Sequence, residues 1–362
     1  MNTLGYDYSL FGEERIQINN ISPIEKGDSS DLSFCSSDDK EGLESILNSK
    51  SGIILCKKTL EDYIRQREGF DNNNSGVPRL FVFVDNPRLV FIRMAKIMKG
   101  YKDIRKGISK HAIISDSAKM GSDCHIGDFT IIGDDCIMGN NTVIGSKVLL
   151  KNAKVGNNCI ILSGNTIGEE GFAFEREEKH MELERFPHFG KVVIEDNVEI
   201  FANCSIAQGS ISDTVIEQGS KIDAMCHIAH NVHIGKNTQV TAGTVIGGST
   251  SIGSNCWLGL NSTIKHKLKI GNGVIVGSGS SVIHDVEDKD IVAGSPAKSI
   301  KDKITLNQDK LFLMRGQDNE NEIQNHNQLQ DNTLPKKDPF YQTKGIDISK
   351  RIDWSILGMF LG

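Results

Sequence analysis

Three histidines, His227, His230 and His233, crowd one short stretch of the chain, and His266 follows further on. A neutral imidazole is a competent general base near pH 7, and a second can donate a hydrogen bond. Grouped histidines can instead hold zinc. The choice depends on where the chain places each ring. From residue 216 to residue 282 every sixth position is aliphatic: Ile216, Ile222, Ile228, Ile234, Val240, Ile246, Ile252, Leu258, Ile264, Ile270, Val276 and Val282. That period is neither helical nor an alternating strand. It is the hexapeptide signature of a parallel β-helix, with one repeat per short strand and turn.

Three such repeats make one coil, so residues 18 apart lie one above another. His230 and His266 are 36 apart, and each sits two residues after an aliphatic corner. They fall in one column two coils apart, roughly 10 Å at the ~4.8 Å spacing of strands. Gly248 stands between them in that column. The spacing predicts a notch walled by two imidazoles with an open floor, suited to proton transfer and oxyanion stabilisation. A zinc site fits less well. His227 and His233 are one hexad apart and so belong to adjacent faces, which leads us to expect no metal. Lys265, Lys267 and Lys269 flank the notch, and Lys298, Lys301 and Lys303 follow the last repeats. Lysines so placed either form a solvated face or hold a phosphate-rich donor along the edge of the coil.

The elements around this notch follow from composition and punctuation. The 362 residues carry 41 basic and 47 acidic side chains, which gives no support for nucleic-acid binding. No apolar run approaches a membrane span, and Met1 to Leu10 has no secretory pattern. The eight cysteines include no C-x-x-C pair. Cys124, Cys136, Cys159, Cys204, Cys226 and Cys256 occupy the small position of a hexad, as buried small hydrophobes would. A reducing, cytoplasmic location follows as the default.

The fold class expected is mainly β: a β-helix over residues 109–300, a small α/β domain over residues 1–108, and a helical or irregular tail over residues 301–362. In the first domain Gly52 to Cys56 and Leu80 to Val84 read as strands, and Arg88 to Lys99 as a helix entered through Asn86-Pro87. Hexads begin at Ile114, slip by one residue after Leu150, break at Gly168 and resume at Ile194, with a second slip near Ser210 to Ser212. The excursion 169–191 is too polar for a core and too long for a turn, and such loops in regular scaffolds are often functional. In the tail, Asp309 to Gly316 reads as a short helix, Gln317 to Asp331 as a linker, and Asp338 to Gly362 as a segment that docks on the body or on a neighbouring subunit.

Ile222-Asp223-x-x-Cys226-His227-Ile228-Ala229-His230-Asn231-Val232-x-Ile234-Gly235, preceded by Asp213-Thr214 and followed by Lys265-His266, resembles the active-site stretch of the UDP-3-O-acylglucosamine N-acyltransferases of lipid A synthesis. Gly171-Phe172-Ala173-Phe174 is similar to that family's Gly-Phe-Gly-Phe loop, and Phe186-Pro187-x-x-Gly190 to the segment after it. Gly27-Asp28, Leu32-Ser33-Phe34 and Val84-Asp85-Asn86-Pro87 resemble its nucleotide-binding domain. The resemblance spans roughly residues 15–300.

The resemblance implies a left-handed parallel β-helix and a homotrimer with sites between subunits. It implies acyl transfer from a phosphopantetheine thioester to the amine of a nucleotide-linked sugar. His230 would be the general base and His266 would help at the thioester oxygen or the donor. Gly248 and Lys265 would meet the donor, while Phe34, Phe172, Phe174 and Asn231 would meet the acceptor. Three departures stand out. Cys35-Ser36-Ser37-Asp38-Asp39 replaces the family's residues after Phe34, Ala207-Gln208-Gly209 replaces Asp-Arg-Gly, and Asp223-Ala224 replaces Asp-Asn. The ending Gly294-Ser295-Pro296-Ala297-Lys298 is similar to coenzyme A-dependent hexapeptide acetyltransferases, where the lysine lies near the adenine end.

We therefore expect a short acyl- or hydroxyacyl-CoA as donor and a dTDP-4-amino-4,6-dideoxy sugar, as in anthrose-type pathways, as acceptor. The alternative is the lipid A enzyme itself, with acyl-carrier protein as donor. A zinc enzyme of the carbonic anhydrase type and a non-catalytic scaffold stay open as further readings.

Overall fold

The aliphatic positions six apart turn inward at successive corners of a three-sided coil. The computed structural model describes residues 7–13, 15–66, 78–99 and 107–301. It falls into two compact units, Met1–Asp103 and Ile104–Gly362. The helix, linker and docking segment expected in the tail lie outside the described residues, as does Lys303.

In the second unit each hexad supplies a two-residue strand and a turn. Strands one coil apart pair in parallel, and three sheets result, of nine, eight and eleven strands. His227–Ile228 pairs with Val245–Ile246, and that with Thr263–Ile264. The inward residues Ile228, Ile246 and Ile264 are buried and stack directly. Each such side chain contributes on the order of 2 kcal/mol through the apolar area it removes from water. Most of the turns take a left-handed backbone at one residue per hexad. Asparagine often fills that position, as at Asn141, Asn158, Asn203, Asn231, Asn237, Asn255 and Asn261, all with φ between 53° and 61°. Asparagine adopts this region more readily than other side chains. The small position two before each corner points inward as well. The eight cysteines are all free and buried, and burial pushes the Cys159 thiol up to about 11.

The irregularities keep the stack in register. Met138 pairs with Val155, so the first slip shortens one coil by a residue. Val155 pairs with Ile194, so the excursion leaves and returns between two paired strands. Ile206 pairs with Ile228, so the second slip lengthens one coil by four residues, 22 against the usual 18. The first rung is Gly107–Ile108, one hexad earlier than the sequence period suggests. At the far end Ile291–Gly294 and Ala297–Ser299 form an antiparallel hairpin on the eleven-stranded sheet.

The first unit holds β1 (Ser9–Gly12), β2 (Asn20–Ile21), β3 (Asp31–Phe34), α1 (Lys40–Asn48), β4 (Ile53–Lys57), α2 (Glu61–Arg65), β5 (Leu80–Val84) and α3 (Pro87–Lys99). The sheet order is β1-β5-β4-β3-β2, with only β1 antiparallel. The apolar runs Ile53–Lys57 and Leu80–Val84 are continuous because both faces are covered. One face packs Ile54, Cys56, Phe81 and Phe83 against Ile46 and Ile64. The other packs Leu55, Val82 and Val84 against Val90. Among the described residues no helix is long and apolar enough to cross a membrane.

Candidate active site

The turn after strand His227–Ile228 carries Ala229, His230 and Asn231. The His230 carbonyl accepts the Ser249 N–H at 2.9 Å, and the Gly248 carbonyl accepts the Lys267 N–H at 2.9 Å. These bonds tie three successive turns together and put His230, Gly248 and His266 in one column, as the spacing predicts. The floor of the notch differs from the expectation. The His230 ring leans over Gly248, so that a methyl group there would lie 2.7 Å from Nε2. Gly248 is therefore the space into which the imidazole folds.

The hydrogen bonds behind His230 determine its tautomer. Asn231 Oδ1 accepts the Ser210 N–H at 3.2 Å and the Ser210 hydroxyl at 2.7 Å. Its Nδ2 donates to the Ser212 carbonyl at 2.6 Å. A backbone donor on one end and a backbone acceptor on the other fix which end of the amide is oxygen. His230 Nδ1 lies 2.9 Å from that oxygen and so must donate to it. In the neutral ring Nε2 then carries the lone pair. The backbone at Asn231 is held as well, its N–H bonded to Thr214 Oγ1 at 2.9 Å. Both ends of the Asn231 side chain are thus engaged within the protein. These bonds suit the residue to orienting the imidazole.

The excursion supplies the other wall. It folds back as an antiparallel pair, Phe174–Arg176 with Leu183–Arg185. Arg185 bonds Glu170 at 2.7 Å and lies over the Phe174 ring at 5.4 Å. Phe172 stands beside Phe174, ring centroids 5.0 Å apart, and is 88% exposed. Between this wall and the coils lies a cleft of about 1050 Å³. His230, His266, Gly248 and Lys265 line it from the coils, and Phe172 and Phe174 from the excursion. The Gly248 N–H, with no partner among the described residues, is in the same wall.

Lys298 and Phe34, both expected at the site, are not among the residues that line the cleft. Lys298 lies on the terminal hairpin, outside the residues that line the cleft. Phe34 lies in the first unit, 4.7 Å from the Phe91 ring. The acidic residues after it have local work. Asp39 caps α1 by accepting the Gly42 N–H at 2.8 Å. Burial works against the Asp38 carboxylate, but bonds from Thr59 and Lys57 outweigh it and hold its pKa below the ordinary value. His233 bonds Glu217 at 2.9 Å on the eight-stranded sheet, while His227 belongs to the nine-stranded one. Among the described residues no three His, Cys, Asp or Glu side chains gather as a metal site would require.

Sequence reasoning missed His188 and Gln208. His188 is buried, and its ring meets that of His230 edge to face with centroids 5.6 Å apart. Gln208 Nε2 donates to the His188 carbonyl at 3.3 Å. The available signals were a histidine inside a segment already marked as functional and the departure from the family pattern at Ala207-Gln208-Gly209.

The bacterial transferase hexapeptide (six repeats) model matches residues 117–152, 213–248 and 249–284. A UDP-3-O-acylglucosamine N-acyltransferase from Polynucleobacter asymbioticus is 30% identical over 250 residues, covering 63% of this chain and 69% of that protein. One from Hydrogenovibrio crunogenus is 28% identical over 254 residues, covering 65% and 68%. Among solved structures, the Francisella novicida UDP-N-acetylglucosamine acyltransferase covers 58% of this chain and 74% of that one, at 24% identity and a TM-score of 0.51. That likeness is one of fold: a left-handed parallel β-helix.

Proposed function

The chain belongs to the hexapeptide-repeat acyltransferase family that includes the UDP-3-O-acylglucosamine N-acyltransferases, and from that premise we propose that it acylates the amine of a nucleotide-linked amino sugar in the cleft around His230. The observation that carries the reading is the Nε2 lone pair of His230, with its tautomer set by Asn231 and its ring in the wall of an aromatic cleft. In this reading His230 Nε2 takes a proton from the sugar amine. The amine attacks the thioester carbonyl. The Gly248 N–H and His266 stand in the same wall and donate to the developing oxyanion, a contribution often worth ~3 kcal/mol. Collapse expels the thiolate, whose low basicity makes acid assistance a minor need. Lys265 meets the phosphates of the donor as a point charge.

The relatives favour a UDP-3-O-acylglucosamine acceptor with an acyl-carrier-protein donor. The aromatic wall of Phe172, Phe174 and Phe186 suits a long acyl chain. The Gly294 to Lys298 hairpin favours the second reading, a short acyl-CoA used on a dTDP-4-amino-4,6-dideoxy sugar. The working assembly would be a cytoplasmic homotrimer without a metal. Thiol release is the test. Long-chain acyl-carrier protein with UDP-3-O-acylglucosamine, and 3-hydroxybutyryl-CoA with the dTDP sugar, are supplied separately and crossed. Release with the first pair alone supports the lipid A-type reaction, and with the second pair alone the short-chain one. No release from any pairing sinks the transferase reading.

A further inference from the structure

Among the described residues, His188 is the one histidine whose ring meets that of His230, and nothing in the proposed reaction uses it. It comes from the excursion, far from the hexads in sequence, and it does not line the cleft. It is 7% exposed. Its Nδ1 lies 3.0 Å from the Phe186 carbonyl, an acceptor only, so Nδ1 donates and Nε2 carries the lone pair in the neutral ring. That Nε2 is buried without a partner among the described residues. Native proteins rarely leave such an atom unpaired without a reason.

The atom has an address. A methyl group added to Gly171 would lie 3.0 Å from His188 Nε2, 2.9 Å from His230 Cβ and 3.0 Å from His230 Cδ2. The unpaired Nε2 of His188 and the near edge of the His230 ring therefore border one point, beneath a residue that has no side chain. The two rings stand at 80° with centroids 5.6 Å apart. His188 is itself held at both ends of its residue, by the bond from Nδ1 to Phe186 and by the bond from Gln208 to its carbonyl.

We propose that His188 is a positioning residue that fixes the His230 ring from behind and stabilises the positive charge His230 acquires when it takes the substrate proton. The proposal rests on the reading of His230 as base. The physical argument is electrostatic. When Nε2 of His230 binds a proton, the imidazolium is partly cut off from water by the excursion. The negative end of a neutral imidazole dipole close to its edge offsets part of that cost. Other charged and titratable groups also share the cleft with His230. They are Glu169, Glu170 and Glu175 on the excursion, His227 on its own strand, and Lys265, His266 and Lys267 on the coil two turns on. Glu169 and Glu170 are engaged with Lys151 and Arg185, both at 2.8 Å or less. His188 is the one that meets the imidazole ring to ring.

Two variants separate the parts of this role. His188→Phe keeps an aromatic edge and removes both nitrogens. His188→Ala removes the ring. For His188→Phe we expect kcat to fall by about tenfold with KM for both substrates within about twofold, the pattern of an interaction made only in the transition state. Loss of the lone pair disfavours protonated His230, so the acid limb of the kcat/KM profile should move to lower pH. For His188→Ala we expect a loss of roughly a hundredfold, since a ring displaced by an ångström loses about that much.

The imidazole nitrogens, read by NMR of histidine-labelled protein, give a readout that needs no turnover. In wild-type protein His230 should show the Nδ1–H form alone, and its titration should move down in His188→Phe. An unmoved His230 titration in folded His188→Phe overturns the proposal whether or not the transferase reading survives. A raised KM with unchanged kcat also overturns it, by making His188 a substrate contact. If His188→Ala does not fold, His188→Phe carries the test alone. If neither variant folds, His188 is a packing residue and the proposal is wrong.

Discussion

The proton on His230 Nδ1 decides what the Nε2 atom can do, and the proton is held there by Asn231. Asn231 has two tasks in one position. Its backbone is left-handed, with φ 59°, as in most hexad turns, and its amide joins Ser210, Ser212 and His230. The tasks can be separated. Glycine accepts positive φ at no steric cost, so Asn231→Gly keeps the turn and removes the hydrogen bond. We expect wild-type-like melting and roughly tenfold lower kcat, measured by circular dichroism and thiol release. His230→Ala should lower kcat by ~10²-fold or more with KM largely kept, and near-normal turnover there would remove it as the base.

Gly248→Ala tests the space beneath the ring. The backbone there accepts alanine, but the new methyl would meet His230 Nε2 at 2.7 Å. The imidazole must then swing out, and activity should fall by ~10²-fold in a protein that folds normally. The column that joins His230, Gly248 and His266 was legible from the number 18 alone. His188, Gln208 and the serines behind Asn231 were not. They come from the excursion and from the four-residue slip, segments with no period, and only a folded chain brings them to the corner.

The coils are built by one rule repeated, and that rule is almost fully written in the sequence. The inward isoleucines stack rung on rung, so a vacancy at one rung is walled by stiff neighbours above and below. Ile246 is fully buried between Ile228 and Ile264. Ile246→Ala should cost about 2–5 kcal/mol, toward the upper end because the stack has little freedom to collapse. Urea unfolding at constant m-value measures it, and a loss under 1 kcal/mol would mean the rungs relax after all. The cysteine positions follow from the same rule. Six of them replace small residues inside the coil, and burial raises the Cys159 thiol to about 11. All eight are buried, so a thiol reagent should modify no described cysteine of the native protein, and all of them once urea is added. The first unit was legible to the extent that its two apolar runs and its proline-led helix were. The order of its strands was not, since pairing of distant strands leaves no local mark.

At the scale of the whole molecule, the outer surface of the coils holds a feature the stack does not need. Leu162 and Phe201 occupy equivalent turns of adjacent coils, the Leu162 N–H bonding the Ile200 carbonyl at 2.8 Å. They stand exposed to 37% and 41%. Large side chains stacked in the open on consecutive rungs would suit a contact with another copy of the chain. A homotrimer of the kind proposed would bury them against a second copy of the chain. Light scattering should then give three times the mass of one chain. Phe201→Asp places a charge in that contact and leaves the interior of the coil untouched, since Ile200 remains the buried partner of the pair. It should shift the protein toward monomer with unchanged circular dichroism. If the cleft is completed by a neighbouring copy, activity per chain should fall in step with the loss of trimer. A Phe201→Asp protein that stays trimeric would move the interface to another corner. One that becomes monomeric and keeps full activity would show instead that each chain carries a whole site, and His230, His266 and Gly248 would then suffice with the excursion of their own chain.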